Sequence, residues 1–165
     1  MNNYKFERIT EEHIDEVREI YLYYIKNSTA TFHKKEITRA EMTDLVLFKS
    51  PKYESYIIKL EKEICGYVIL AQYKIREAFD QTAEITLYLK NGYEGRGIGK
   101  KAVIFIEERA KIKGIHTLIA LICGENTGSI ALFKKCGYNK CAHYKEIGNK
   151  FGRWLDLLSY QKIME

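Results

Sequence analysis

Apolar positions recur along this chain with two periods, and the switches between them lay out the elements. Tyr4 to Ile9 alternates, the pattern of a half-buried strand. From Thr10, a residue able to cap a helix, the spacing becomes three and four. Ile14, Val17, Ile20, Tyr21, Tyr24 and Ile25 then share one helical face. Asn27 to Glu36 is a polar break containing Ser28-Thr29-Ala30-Thr31-Phe32. Thr38-Arg39-Ala40-Glu41 has the form of a capping box, Thr and Glu three residues apart. It predicts a second helix to about Lys49 that buries Met42, Leu45 and Val46 and stops before Pro51. Ser55–Leu60 and Ile64–Gln72 are apolar runs joined by Glu61-Lys62-Glu63, an antiparallel hairpin. Tyr73–Thr82 is a polar connection, and Ala83–Leu89 reads as the next strand. Ile98, Ala102, Val103, Ile106 and Ala110 predict a helix to Lys113, which Gly114 stops. Thr117–Ile122 is almost wholly apolar, as in a strand covered on both faces. A short helix over Thr127–Cys136 ends at Gly137, and two strands close the chain at Ala142–Ile147 and Arg153–Gln161. The pattern predicts one α/β domain over 1–165, of the α+β type, with a mixed sheet of about seven strands and about four helices.

Composition adds limits. The 165 residues are 46% hydrophobic and 30% charged, the balance of an ordinary globular domain. No apolar run is long enough to cross a membrane, and Met1–Glu7 has no apolar signal core, so a cytoplasmic protein is expected. The net charge of +5 is spread rather than clustered. That argues against a nucleic-acid face and suits a small anionic cofactor. Cys65, Cys123, Cys136 and Cys141 form no Cys-x-x-Cys pair, and His13, His33, His116 and His143 are scattered. No metal site is expected, and apolar or small neighbours predict buried, reduced thiols.

The candidate chemistry gathers at Glu94-Gly95-Arg96-Gly97-Ile98-Gly99-Lys100-Lys101, between a strand and a helix. A glycine loop that opens a helix leaves several N–H groups unpaired and pointing one way, and the helix dipole adds to them. Together they favour a phosphate. Three motifs compete for the stretch. A Walker loop fails, because Glu94 stands at its first glycine and Lys101 at its Ser/Thr. A dinucleotide fingerprint fits formally as Gly97, Gly99 and Ala102, but Lys90–Arg96 separate it from the strand. The acetyltransferase motif [QR]-x-x-G-x-[GA] fits at Gly97 and Gly99, with Glu94 in place of Gln or Arg.

The order of elements resembles the GNAT acyl-CoA N-acyltransferase fold. Several stretches resemble one subgroup, the phosphinothricin and methionine sulfoximine N-acetyltransferases. They are Thr29-Ala30-Thr31-Phe32; Arg76-x-Ala78-Phe79-x-x-Thr82-Ala83-Glu84; Gly95-Arg96-Gly97-Ile98-Gly99; Glu125-Asn126-x-x-Ser129-Ile130; and Lys150-Phe151-Gly152-Arg153-Trp154-Leu155-Asp156-Leu157. The resemblance implies that Gly95, Arg96, Gly97, Ile98, Gly99 and Lys100 hold the pyrophosphate of acetyl-CoA. It implies that Leu87, Tyr88, Leu89 and Asn126 meet its pantetheine arm, that Arg76, Thr31 and Phe32 bind an amino-acid-like substrate, and that the chain forms a homodimer. Many GNATs carry a Tyr, and this subgroup often a His, four residues before the glycine that ends the short helix. Phe133 stands there and cannot donate a proton.

The reaction implied needs a base, because an amine must be neutral to attack a thioester. Glu84, at the start of the strand leading into the glycine loop, is the carboxylate for that role, and the resemblance points to the same residue. Apolar enclosure would lift its pKa toward the working range. Arg76 offers the forked donors that suit a substrate carboxylate. The plain alternatives are a strand-edge acid and a solvated loop arginine. Cys123 reads as a core thiol, so transfer would be direct, in a ternary complex. Three other functions compete: a protein N-terminus acetyltransferase, a dinucleotide-binding module and a non-catalytic CoA sensor.

Overall fold

The structure, a computed structural model, describes residues 3–165. Seven strands form one sheet: β1 (Tyr4–Arg8), β2 (Glu54–Leu60), β3 (Glu63–Gln72), β4 (Thr82–Leu89), β5 (Thr117–Cys123), β6 (Asn139–Lys150) and β7 (Arg153–Ile163). Four helices accompany it: α1 (Ile14–Asn27), α2 (Arg39–Val46), α3 (Ile98–Ile112) and α4 (Thr127–Lys135). The strand order is β1-β2-β3-β4-β5-β7-β6. Only β4 and β5 pair in parallel among these neighbours. This is the mixed α/β sheet that the two hydrophobic periods predict.

The sheet has a core on each face, which explains why β3 is apolar at consecutive positions. Val68 and Leu70 join Ile98, Ala102, Val103 and Ile106 of α3. Tyr67 and Ile69 join Ile14, Val17, Ile20, Tyr21 and Ile25 of α1, with Met42 and Val46 of α2. Strand alternation therefore splits the buried residues between two helical layers.

Four local expectations change. Thr10 opens a short 3₁₀ turn, Glu11–His13, and its N–H is taken by His13 Nδ1 at 3.0 Å. The Thr38–Glu41 capping box forms as expected, with Glu41 N–H on Thr38 Oγ1 and Thr38 N–H on Glu41 Oε2. The helix it starts ends at Val46 rather than Lys49, because the Ser55 hydroxyl takes the Val46 carbonyl and the chain turns extended at Leu47. Leu45 is consequently 40% exposed, not buried. The last two strands are longer than expected, because β6 is a polar, exposed edge whose limits are set by pairing with β7 rather than by apolar alternation. Cys65 and Cys123 are buried, but Cys136 is half-buried and Cys141 exposed on that same edge. Among the described residues no helix is long and apolar enough to cross a membrane, and no three His, Cys, Asp or Glu side chains could hold a metal.

Candidate active site

The site begins where the sheet opens. β4 and β5 pair at only three positions, Thr82–Thr117, Ala83–Leu118 and Glu84–Ile119. Beyond them β4 stays with β3 as far as Leu89–Gly66, while β5 stays with β7 as far as Cys123–Leu157. The two strands therefore part into a wedge, with Glu84 as the last paired residue of β4. From Ile85 to Leu89 the β5-facing edge of β4 has no ladder partner. Unpaired peptide groups of this kind need a partner from outside the sheet.

The glycine loop lies beyond the open end of β4. Gly97 caps α3 with φ 78°, a left-handed conformation that costs glycine nothing. A Cβ at Gly97 or Gly95 would meet no atom within 4 Å, so the space before the loop is open. The first N–H groups of α3, from Ile98 to Lys100, lack intrahelical partners by the geometry of a helix start. Gly99 has another task. A Cβ there would stand 2.9 Å from Leu132 Cδ2, so Gly99 lets α4 pack against α3. Arg96 turns back to the Gly92 carbonyl at 2.9 Å and lies over Tyr93, and Lys101 lies over Tyr4. Lys100 is exposed. Glu94, also exposed, turns back onto its own loop: Oε2 accepts the Gly92 N–H at 2.8 Å, and Oε1 lies 3.4 Å from the Tyr24 hydroxyl. The same Tyr24 hydroxyl donates to the Leu89 carbonyl at the end of β4.

Across the wedge, Asn126 caps α4 through Oδ1, which accepts the Ser129 N–H at 3.1 Å. Its Nδ2 donates to no group among the described residues. Phe133 points into the core and meets Tyr138 edge-on at 5.0 Å between ring centroids.

Glu84 sits opposite Ala71, on the face that carries Tyr88 and Tyr67. Its carboxylate has no hydrogen bond or ion pair among the described residues. Burial holds its pKa above the ordinary carboxylate value, with Lys74 opposing weakly. The Tyr88 ring packs against Tyr21, Tyr24 and Tyr67, and its hydroxyl donates to the Ala30 carbonyl at 3.2 Å. That bond ties the 28–32 segment to β4. Thr31 is buried with its hydroxyl on Tyr21 Oη at 2.6 Å, whereas Phe32 is partly exposed. Arg76 is exposed at the mouth of the β3–β4 connection, with no partner among the described residues. The fold thus brings Glu84, Tyr88 and Thr31 together and leaves Arg76 free at the rim.

A family comparison settles what this architecture is. The model of the acetyltransferase (GNAT) family matches residues 15–138. The chain belongs to the GNAT acetyltransferase family. An L-methionine sulfoximine/L-methionine sulfone acetyltransferase of Pseudomonas paraeruginosa is 29% identical over 146 residues, 86% of this chain and 84% of that one. A phosphinothricin N-acetyltransferase of Streptomyces coelicolor is 27% identical, over 92% of this chain and 91% of that one. Among solved structures, a GNAT-superfamily phosphinothricin acetyltransferase of Sinorhizobium meliloti in complex with AcCoA superposes with a TM-score of 0.92. It is 26% identical, over 99% of this chain and 89% of that one.

Three residues that no motif singles out tie together the segments around this wedge. Tyr24 looks like one more apolar position of α1, yet its hydroxyl reaches Leu89 and Glu94. Glu125 bonds the Thr29 hydroxyl at 3.0 Å and forms a forked pair with Arg153 at 2.9 and 2.8 Å. Lys150 is buried. Glu125, Arg153 and Lys150 all lie within the stretches that carry the family resemblance, which was the available signal. Their partners lie far away in sequence.

Proposed function

We propose that this acetyltransferase moves the acetyl group of acetyl-CoA to the α-amino group of a small amino acid or analogue, of the phosphinothricin, methionine sulfoximine or methionine sulfone type. The observation that carries the reading is Glu84, a raised and unpaired carboxylate at the point where β4 and β5 part. The names of the relatives supply the substrate class.

The residues present fit the donor. The free N–H groups at the start of α3, with open space before Gly95 and Gly97, suit a pyrophosphate. The edge of β4 at Leu87, Tyr88 and Leu89, which β5 leaves uncovered although the Leu89 carbonyl accepts from Tyr24, and the free Asn126 Nδ2 suit the amides of the pantetheine arm. Acetyl-CoA supplies an acyl group activated as a thioester. Glu84 takes the amine proton, directly or through water, and its raised pKa keeps it a competent acceptor near neutral pH. Arg76 holds the substrate carboxylate with its forked donors. Phe32 and the Thr31 backbone line the pocket. No protein group is assigned to protonate the leaving thiolate, since Phe133 has no proton to give and faces the core. Cys123 is buried in β5, which supports direct transfer rather than a covalent enzyme intermediate.

We further read 1–165 as one domain, supported by its single sheet. Exposed Tyr144, Ile147, Phe151 and Trp154 on β6, β7 and the turn between them support a homodimer. Four free cysteines suit a cytoplasmic location.

The test is an initial-rate screen with acetyl-CoA over free amino acids, their sulfoximine, sulfone and phosphinate analogues, the amidated forms of the same compounds, and peptides. Turnover of free acids well above their amides and above peptides is expected. Peptides turned over faster than every free acid would replace this reading with that of a protein N-terminus acetyltransferase.

A further inference from the structure

Among the described residues two charged side chains are fully buried, Glu54 and Lys150. Glu54 is surrounded by cations. Lys150, 2% exposed at the end of β6, has no carboxylate within ion-pair distance. Its ammonium donates instead to three backbone carbonyls: Ser28 at 2.6 Å, Thr31 at 2.9 Å and Tyr24 at 3.4 Å. An ammonium has three donors and no acceptor, so these carbonyls complete its hydrogen bonding. Burial lowers its pKa from the ordinary lysine value.

Two of the carbonyls, Tyr24 and Ser28, belong to the C-terminal end of α1, where any cation is favoured. A helix cap explains those two and nothing more. The third bond reaches Thr31, in the segment beyond the helix. That segment is gripped at neighbouring points by the same hairpin. The Phe32 ring lies so close to Gly148 of β6 that a Cβ there would stand 2.8 Å from it. Thr29 bonds Glu125, which Arg153 at the start of β7 holds by two hydrogen bonds. Lys150 and Arg153 flank a two-residue turn, Phe151 (φ 52°) and Gly152 (φ 74°), of the tight hairpin kind. The turn therefore fixes how the two cations are spaced.

We propose that Lys150 is a positioning residue for the acceptor: the β6–β7 hairpin holds segment 28–32 through it, and thereby sets the pocket face formed by Thr31 and Phe32. The proposal rests on the reading above that these residues line the acceptor pocket. Lys150 itself is buried at the hairpin turn. It acts through the backbone of Thr31.

The test compares Lys150→Met with wild type. The variant keeps the apolar stem and loses all three donors. Amide hydrogen exchange in 28–33 should rise, with α3 and the sheet centre unchanged. The KM of the amino-acid acceptor should rise about tenfold or more, as expected when a positioning contact is lost, while that of acetyl-CoA stays within about twofold. Thr29→Val, which removes only a hydroxyl, is the milder partner should Lys150→Met fold poorly, and it should shift acceptor KM in the same direction by a smaller factor. A merely structural lysine would lower Tm and leave the acceptor KM of the folded fraction alone; that result, or unchanged exchange in 28–33, overturns the proposal. A wild type that acetylates no free amino acid or analogue overturns the function instead, and the exchange measurement still decides whether Lys150 holds the segment.

Discussion

Glu54 and Glu84 are both strand glutamates, the first buried and the second half-buried, and the molecule treats them in opposite ways. Glu54 is 1% exposed and accepts from four groups: Arg8 at 2.7 Å, Arg109 at 2.8 Å, Lys113 at 2.9 Å and Tyr56 at 2.6 Å. Burial alone would raise its pKa, but these donors outweigh it and hold the carboxyl far below the ordinary range. Glu84 has none of this support, and burial leaves it raised. A saturated carboxylate joins elements and has no free electron pair to offer a proton. An unsaturated one is costly to the fold and available to a substrate. The contrast separates a structural acid from a candidate base without reference to any motif.

The largest effect that would sharpen this contrast is in kcat. Glu84→Gln keeps the shape and removes the proton acceptor, so kcat at neutral pH should fall by roughly a hundred- to ten-thousand-fold, the usual span for a general base. The loss should shrink as pH rises and more of the amine is already neutral. An unchanged kcat in a folded Glu84→Gln variant takes Glu84 out of the mechanism. Glu54→Gln should do the reverse. Uncovering the cations around it should cost about 3 kcal/mol of stability, seen as a lower Tm, with activity per folded molecule retained; equal Tm values for variant and wild type would erase the distinction drawn between the two acids.

Smaller effects probe the site around Glu84. Arg76→Ala removes a charge-assisted contact and should raise the acceptor KM about ten- to a hundredfold, with acetyl-CoA spared. If steady-state kinetics show both KM values moving together, Arg76 does not hold the acceptor carboxylate. A second measurement on Glu84→Gln concerns stability. Folding raises the Glu84 pKa, so it favours the protonated form. The resulting stabilisation is complete below the carboxylate range of the unfolded chain and is lost as pH rises through the folded value. Gln suffers no such loss. The variant should therefore match wild type in acid and exceed its Tm by a growing margin toward neutral pH; a variant less stable than wild type at neutral pH would mean that the Glu84 carboxylate supports the fold after all. The least effect is expected at Glu94, whose carboxylate sits on the rim of an anion loop. Glu94→Gln keeps the bond from Gly92 and removes the charge, which is exposed and partly screened. Calorimetry should show acetyl-CoA binding a few-fold more tightly, and weaker binding would show that the charge does not oppose the donor.

Local chemistry determined much of this protein from the chain alone. Periods of two and of three to four residues, with continuous apolar runs for β2, β3 and β5, located the strands and helices, because burial on one face or on both imposes these patterns wherever an element packs on a core. They failed where that cause is absent. The β6 edge strand is polar because it faces water, so its length followed from pairing with β7. Leu45 is apolar, but α2 stops where Ser55, from another element, takes its last carbonyl. The glycine loop and Glu84 could be named as candidates for a related reason: a glycine loop at a helix start and a lone acid entering an apolar strand are local facts of composition and order. What no local reading contains is the parting of β4 from β5, the saturation of Glu54, the approach of the Tyr24 hydroxyl to Glu94, or the grip of Lys150 on Thr31 across 119 positions of chain. Each depends on groups distant in sequence being brought within hydrogen-bond range, and that distance exists only once the two faces of the sheet have been covered.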